Sequence, residues 1–526
     1  MNFPQIAGQR ISWAAVQHGA RPALIHGDRT LSFAEVELRT NRLANGLVRL
    51  GLAPGERLAV LLNNCMDAVV SVFATEKAAQ TYVALNARHT LLEHAGILND
   101  AQASTVILGP EFASLAAPLR EQVPSLRHVI AVGFSAPGTT AYESVLESGD
   151  SRAPDIRIDA ADHLVRIAYT SGTTGRPKGV AYTVQRLQQQ LTNQFYAMEY
   201  ALGIDDAMLH VGPLTHAAGV YLLPCYLRGA RSVIADRFDP ETMLRDIGKH
   251  RITQLMLVPT MLARLLDALD GGIRADLSSL RRINYGTAPA SVELLRRALE
   301  RFGPILRQQY GMTEAVQPLA VLYPHEHQVE GAGTQRLSSC GKPSINVSIS
   351  IRGPVDQELP QGEIGEIAIG HCGIGAVQFW RQPEITAESI RNGRYYTGDL
   401  GYFDAEGYLY IVGRNKEMII SGGFNVYARE VEDALASHPG VSEAAVLGIP
   451  NPEWGEIVAA FVVPRAGSAV TVEELAAHCA ARIAGYKKPR VLQLVPELPR
   501  NNSGKVTKHV LRDAYLRDRE SAKVES

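Results

Sequence analysis

Apolar positions along this chain fall into two alternating rhythms. Val36, Leu43, Leu47 and Leu50 share one face at helical spacing, and Ser32-Phe33-Ala34-Glu35 ahead of them has the Ser-x-x-Glu form of a capping box. Gly51 stands where a C′ glycine stops a helix. Leu58 to Leu62 is then an unbroken apolar run, read as a buried strand. Met66 to Ala79 is helical in period, and Thr81 to Leu85 returns to strand. Strand, helix and strand in this order imply a parallel sheet with helices on its faces.

The rhythm resumes farther on. Leu164 to Ala168, with Arg166 inside it, leads like a strand into a Gly- and Thr-rich loop. Asp239-Pro240 places an N-cap before a proline at N1, predicting a helix through Met243, Leu244 and Ile247. Gln254 to Val258 and Leu280 to Tyr285 read as strands, the latter entering Gly286-Thr287-Ala288-Pro289. Leu294, Leu295, Ala298, Leu299 and Phe302 make a helical face. Ile305 to Gln309 is a strand ending at Tyr310-Gly311-Met312-Thr313-Glu314. Two strands thus end in Gly-containing loops, where open α/β sheets place their ligands.

From about Ser338 the runs shorten and alternate. Val347 to Ile351 and Glu363 to Ile369 read as strands of a smaller β unit, followed by a Gly- and Asp-rich region from Tyr395 to Arg414. Strands at Tyr408 to Val412, Met418 to Ile420, Ala444 to Leu447, Val458 to Val463 and near Val491 to Val495 follow. They are interleaved with helices from about Arg429, after the capping box Thr471-Val472-Glu473-Glu474, and at the C-terminus. The fold class is α/β: a large N-terminal domain of parallel-rich αβ sheets plus a small β unit, then a small α+β C-terminal domain.

Composition narrows the function. A chain of 526 residues exceeds one core. Net charge of -2 gives no support for a nucleic acid or membrane-surface partner. Cys65, Cys225, Cys340, Cys372 and Cys479 are scattered without zinc spacing, which suits a reducing cytoplasm. The N-terminus lacks a signal-peptide pattern, and no apolar run reaches membrane-spanning length. His325-Glu326-His327 lacks HExxH spacing, and no Gly-x-Ser-x-Gly elbow occurs, so a zinc hydrolase and an α/β-hydrolase are unsupported.

The densest chemistry lies in Tyr169-Thr170-Ser171-Gly172-Thr173-Thr174-Gly175-Arg176-Pro177-Lys178-Gly179-Val180. Glycines let backbone N–H groups converge on an anion, hydroxyls add donors, and Arg176 and Lys178 add positive charge. The composition suits a polyphosphate. A Walker A loop needs Gly-Lys-Ser/Thr, and here Lys178 stands between Pro177 and Gly179.

This stretch resembles the phosphate-binding signature of the adenylate-forming superfamily, which includes acyl-CoA synthetases, peptide-synthetase adenylation domains and beetle luciferases. Other motifs follow in collinear order along nearly the whole chain. Val211 to Gly219 resembles the second motif, in which His216 lines the acyl pocket. Gly286-Thr287-Ala288-Pro289 and Tyr310-Gly311-Met312-Thr313-Glu314 resemble the adenine-binding loops. There Tyr310 offers an aromatic face, Thr313 a hydroxyl, and Glu314 a hard oxygen for Mg²⁺. The resemblance makes Asp399 the ribose ligand and Arg414 its support, Lys416 the domain hinge, and Gly422-Gly423 the loop for the thioester step. It makes Lys505, in Pro499-Arg500-Asn501-Asn502-Ser503-Gly504-Lys505, the catalytic lysine. The domains implied are an AMP-binding domain over residues 1–414 and a mobile domain over 415–526. The family often has Ser/Thr-His where this chain has Thr183-Val184, so no histidine role is carried there. It often has proline where this chain has Ala428.

The implied reaction is ATP- and Mg²⁺-dependent activation of a small carboxylic acid through an acyl-adenylate, with transfer to coenzyme A. An amine or a carrier-protein thiol is the alternative acceptor. A nucleotide sensor predicts erosion of catalytic groups, yet Glu314, Asp399, Arg414 and Lys505 are all present. The segments 216–224, 284–290 and 310–319 should form the acid pocket, and Glu314 is their only Asp, Glu, Lys or Arg. That favours an apolar acyl or aryl acid. A cytoplasmic enzyme is expected, and a homodimer is left open.

Overall fold

The computed structural model describes residues 5–159, 162–170, 178–198, 202–315, 317–371, 377–500 and 506–524. Two large sheets dominate the N-terminal part. One is seven-stranded, in the order Lys178–Thr183, Leu164–Thr170, Thr81–Ala84, Arg57–Leu61, Ala103–Leu108, His128–Ala131 and Thr140–Ala141. All its pairings are parallel except that of Leu164–Thr170 with Lys178–Thr183. The second has nine strands, with Leu306–Tyr310, Arg282–Gly286, Gln254–Leu257, Ala207–His210, Arg231–Ile234 and Pro22–His26 parallel in its middle. Its outer strands pair antiparallel. Strands such as Gln254–Leu257 and Ala103–Leu108 are buried along their whole length. Helices cover both faces of such sheets, and this is why they read as unbroken apolar runs rather than alternating ones.

The helix that the capping box predicts spans Phe33–Arg49. Ser32 Oγ accepts from the Glu35 N–H at 3.2 Å, and Glu35 Oε2 accepts from the Ser32 N–H at 2.7 Å. Leu50 caps its end, and Gly51 follows at φ +84°. The helix expected over 66–79 ends earlier, as Met66–Lys77, because Ala79 turns left-handed at φ +53°. Asp239 caps Pro240–His250 through its side chain, as its sequence predicts.

The small β unit is a five-stranded antiparallel sheet of Val347–Arg352, Gly365–His371, Arg394–Phe403, Ile390–Arg391 and Leu409–Arg414. A last sheet combines Phe424–Val426, Ile419–Ser421, Gly455–Pro464, Val441–Asn451 and Val491–Leu494. Ile419, Val431, Leu435, Val458 and Leu475 give this smaller α+β unit a core of its own. Among the described residues, no helix is long and apolar enough to cross a membrane.

One pair of elements has no counterpart in the apolar pattern. The strand Lys178–Thr183 returns from the Gly- and Thr-rich loop, and the helix Val184–Ala197 follows, capped by Thr183. The buried residues of that helix include Arg186, Gln189, Gln190, Asn193 and Gln194, so its inward face is largely polar.

Candidate functional site

The site forms where the loops leaving the parallel strands meet the small β sheet. Thr170 ends the strand Leu164–Thr170, and its Oγ1 donates to Glu314 Oε1 at 3.2 Å. Two motifs far apart in sequence therefore meet at one carboxylate. The 310–314 loop is fixed from behind. Arg186 Nη2 donates to the Glu314 carbonyl at 2.6 Å, and the Tyr182 hydroxyl donates to the Thr313 carbonyl. The Arg186 guanidinium lies over the Tyr182 ring, 4.6 Å from its centroid.

Asp399 and Arg414 face each other as register partners in the hairpin of Arg394–Phe403 and Leu409–Arg414. Arg414 Nε lies 3.2 Å from Asp399 Oδ1, and the Tyr310 hydroxyl donates to Asp399 Oδ2 at 2.7 Å. Burial and then the Asp399 charge push the Tyr310 phenol well above its ordinary pKa, so it stays a donor. Among the described residues, Asp399 Oδ2 accepts from Tyr310 and Oδ1 pairs with Arg414. A carboxylate has about four lone-pair sites, which leaves capacity for a diol.

A small cleft of about 40 Å³ opens beside these groups. It is lined by Thr287 from the first Gly-containing loop, Tyr310 and Gly311 from the second, Val220 and Tyr221 from the segment after His216, and Gln194 from the polar helix. All three segments expected to form the acid pocket contribute. Gly286 lies so close to the neighbouring strand that a Cβ there would stand 2.3 Å from the Gln309 carbonyl oxygen.

His216 lies in the loop after Ala207–His210. Asn86 Nδ2, at the end of Thr81–Ala84, donates to His216 Nε2 at 2.9 Å. Asn64 ties the same loop down by donating to the Gly212 carbonyl at 2.9 Å and accepting from the Leu214 N–H at 3.0 Å. His210 bonds the Ala218 carbonyl and Ser232, and burial lowers its pKa to about 4. Lys178 begins the return strand, its ammonium 6.0 Å from the Phe379 ring centroid. Met312 packs against the cluster that includes Ala315 and Tyr395.

Lys416 sits in the exposed single turn Asn415–Glu417, between a strand of the small β sheet and one of the C-terminal sheet. Gly422 and Gly423, at φ +57° and +82°, form the two-residue turn joining Ile419–Ser421 to Phe424–Val426. Paired positive φ angles favour glycine at both positions. Arg429 Nη2 reaches the Ala290 carbonyl at 3.5 Å, joining the C-terminal unit to the loop that follows Pro289. Ser171, Gly172, Thr173, Thr174, Gly175 and Lys505 lie outside the described residues.

Sequence reading missed Asn86, Tyr182, Arg186 and Gln194. The position of Asn86 just past the C-terminal end of a parallel strand was a usable signal. The other three act through tertiary contacts that no local pattern marks.

A profile described as AMP-binding enzyme matches residues 11–376, and one described as AMP-binding enzyme C-terminal domain matches residues 430–505. A feruloyl-CoA synthase from Amycolatopsis sp is 37% identical over 94% of this chain and 96% of its own. A medium/long-chain fatty acid–CoA ligase from Mycobacterium tuberculosis is 33% identical over 98% of this chain and 91% of its own. The structure of an amide bond synthetase from Marinactinospora thermotolerans superposes with a TM-score of 0.86 at 29% identity, covering 97% of this chain and 99% of that one. With one profile spanning most of its length and relatives matched nearly end to end, this chain belongs to the AMP-binding enzyme family.

Proposed function

We propose that this protein is an AMP-forming acid–thiol ligase that joins a small carboxylic acid to coenzyme A. A carboxylate oxygen attacks the α-phosphorus of ATP, the bond from that phosphorus to the bridging oxygen breaks, and pyrophosphate leaves. The CoA thiolate then attacks the acyl carbon, and the bond to the AMP oxygen breaks. The first step turns a carboxylate, whose charge repels nucleophiles, into an acyl group with a good leaving group. The protein's task is positioning and charge neutralisation.

The observation that carries this reading is the junction of Thr170–Glu314 with Tyr310–Asp399–Arg414 beside one cleft. In this reading Asp399 accepts from the ribose hydroxyls and Arg414 holds it in place. Tyr310 and the Gly286–Pro289 loop flank the adenine. Thr170 to Gly175, Thr313 and Lys178 receive the phosphates. His216, fixed by Asn86, borders the reacting carboxylate, and Lys505 offsets its repulsion from the α-phosphate. A single carboxylate beside a hydroxyl fits Mg²⁺, which keeps several waters and takes its other ligands from substrate phosphates. When bound, Mg²⁺ supplies positive charge against the departing pyrophosphate.

The boundary at 414/415, with rotation about Lys416, belongs to the same proposal. It is supported by the exposed turn between two separate sheets. Gly422 and Gly423 then enter for the thioester step. Cys65, Cys225, Cys340 and Cys479 are free thiols, which suits a cytoplasmic setting.

The likeness to an amide bond synthetase keeps a second acceptor in play, an amine in place of the thiol. Acid-dependent ATP–pyrophosphate exchange tests the first step. Mass analysis of products with CoA or an amine decides the second. Exchange that ignores every carboxylic acid would sink the activation reading.

A further inference from the structure

The cleft beside Tyr310 is uncharged but not apolar. None of its lining residues is Asp, Glu, Lys, Arg or His, yet three carboxamides, Gln194, Gln309 and Gln317, face it alongside Tyr221 and Met256. The Tyr221 hydroxyl donates to Gln309 Oε1 at 2.6 Å, which sets the orientation of that amide and leaves its N–H₂ to donate elsewhere. Gln194 Nε2 donates only weakly, to the Val220 carbonyl at 3.4 Å. Its Oε1 has no hydrogen-bond donor among the described residues.

The helix that carries Gln194 extends the same chemistry inward. Asn193 is fully buried, and among the described residues neither atom of its amide has a partner, nor does Oε1 of Gln189, 9% exposed. Buried amides left unpaired are destabilising. A cleft meant for an alkyl chain gains nothing from the amides of Gln194, Gln309 and Gln317, and leucine in their place would bind the chain better. Tyr221 and the Met256 thioether supply flat and polarisable surface, which suits an aromatic ring.

We propose that the acid this enzyme activates is an aryl acid bearing a neutral hydrogen-bonding substituent, such as a hydroxyl, remote from its carboxylate, and that Gln194, Gln309 and Gln317 read that substituent. This rests on the acid-activation reading above and refines its substrate. A site built to pair with a hydroxyl discriminates against the analogue lacking it far more strongly than an apolar pocket rejects an added one, because its own polar groups go unpaired.

The experiment is ATP–pyrophosphate exchange with cinnamic acid, 4-hydroxycinnamic acid, 4-hydroxy-3-methoxycinnamic acid and octanoic acid. It is run on the parent, Gln194→Leu and Gln317→Leu, with melting checked for each variant. The parent is expected to favour a hydroxylated acid over cinnamic acid by about tenfold or more in kcat/KM. At least one variant should shrink that ratio, losing rate on the hydroxylated acid while holding or gaining on cinnamic acid. A merely structural role would scale all acids alike. Equal use of hydroxylated and plain acids by the parent, a preference for octanoic acid, or a ratio unmoved in both variants would overturn the proposal alone. No exchange with any acid would overturn the adenylation reading and the proposal together.

Discussion

Thr287 adopts φ +67°, a conformation β-branched residues rarely hold, and it does so on the wall of the cleft. Such strain costs about 1–3 kcal/mol and persists only where the surroundings impose it. Here the constraint lies one residue earlier, since any side chain at Gly286 would strike the Gln309 carbonyl. Two consequences follow for mutagenesis. Thr287→Gly should be more stable than Thr287→Ala by about 1 kcal/mol, the reverse of the usual order, because only glycine is at ease at positive φ. Denaturant midpoints of the two variants check this, and Ala at or above Gly would refute it. Substitution at Gly286, by contrast, cannot narrow the acid pocket without first disturbing the sheet. Glu314 carries the second residue-scale prediction. Glu314→Gln keeps an oxygen for the Thr170 hydroxyl, so the fold should stand, while a neutral amide binds a hard cation less well. The Mg²⁺ concentration for half-maximal pyrophosphate exchange should rise several-fold. An unchanged Mg²⁺ curve with unchanged turnover would remove Glu314 from the metal.

The helix Val184–Ala197 is the element that matters most and was least visible in the sequence. Helices are found by apolar residues at helical spacing, and this one turns glutamines, an asparagine and an arginine inward. Its apolar signal is weak because its inward face borders the site. The strands Arg57–Leu61 and Gln254–Leu257 and the capped helix Phe33–Arg49 were legible for the opposite reason, since continuous apolar runs and a capping box are local features. The loops after Arg282–Gly286 and Leu306–Tyr310 were legible as ligand loops, because strand ends and motif residues coincide there. What joins them was not. Arg186 is 4% exposed and holds the Glu314 carbonyl while lying over Tyr182, which in turn holds Thr313. Removing it should loosen the 310–314 loop without touching any group that meets substrate. Arg186→Met is expected to raise KM for ATP about tenfold and to cost roughly 1–3 kcal/mol of stability, the scale for a buried hydrogen-bonded group. Arg186→Lys should recover little, because a lysine cannot reproduce the planar stacking. Full ATP affinity in both variants would show that the loop is held by other contacts.

At the scale of the whole molecule, two properties depend on how its parts are buried and joined. His94, His210 and His327 are buried in different regions, and burial lowers each to about 4. An unfolded histidine titrates near 6.5, so below that pH the unfolded chain binds more protons than the folded one. Stability should therefore be at full strength above about pH 6.5 and fall as pH drops toward 4. The slope approaches roughly 4 kcal/mol per pH unit if all three groups act. Melting midpoints between pH 8 and 5 measure this, and a flat profile would contradict it. The second property is the joint. Lys416 stands between the sheet that contains Asp399 and Arg414 and the sheet whose hairpin turn is Gly422-Gly423. Beyond it the C-terminal unit is tied to itself, because Lys508 Nζ lies 3.0 Å from Glu417 Oε2 and 2.8 Å from Glu432 Oε1. The residue just after the proposed hinge, the helix Ala428–Ala436 and the start of the last helix are thereby linked, so the unit should turn as one body. The Gly422-Gly423 turn belongs to that body, and this turn and Lys505 are proposed to serve one cleft at different steps. Lys416→Pro should restrict the turn and slow thioester formation from synthetic acyl-AMP and CoA, while leaving acid-dependent ATP–pyrophosphate exchange near the parental rate. Lys505→Ala should do the reverse, losing exchange by ~10²–10³-fold, the scale for one charge-stabilising donor, yet still making thioester from acyl-AMP. Opposite losses in the two variants would place the steps in two domain orientations; parallel losses in both assays would mean that one orientation serves the whole reaction.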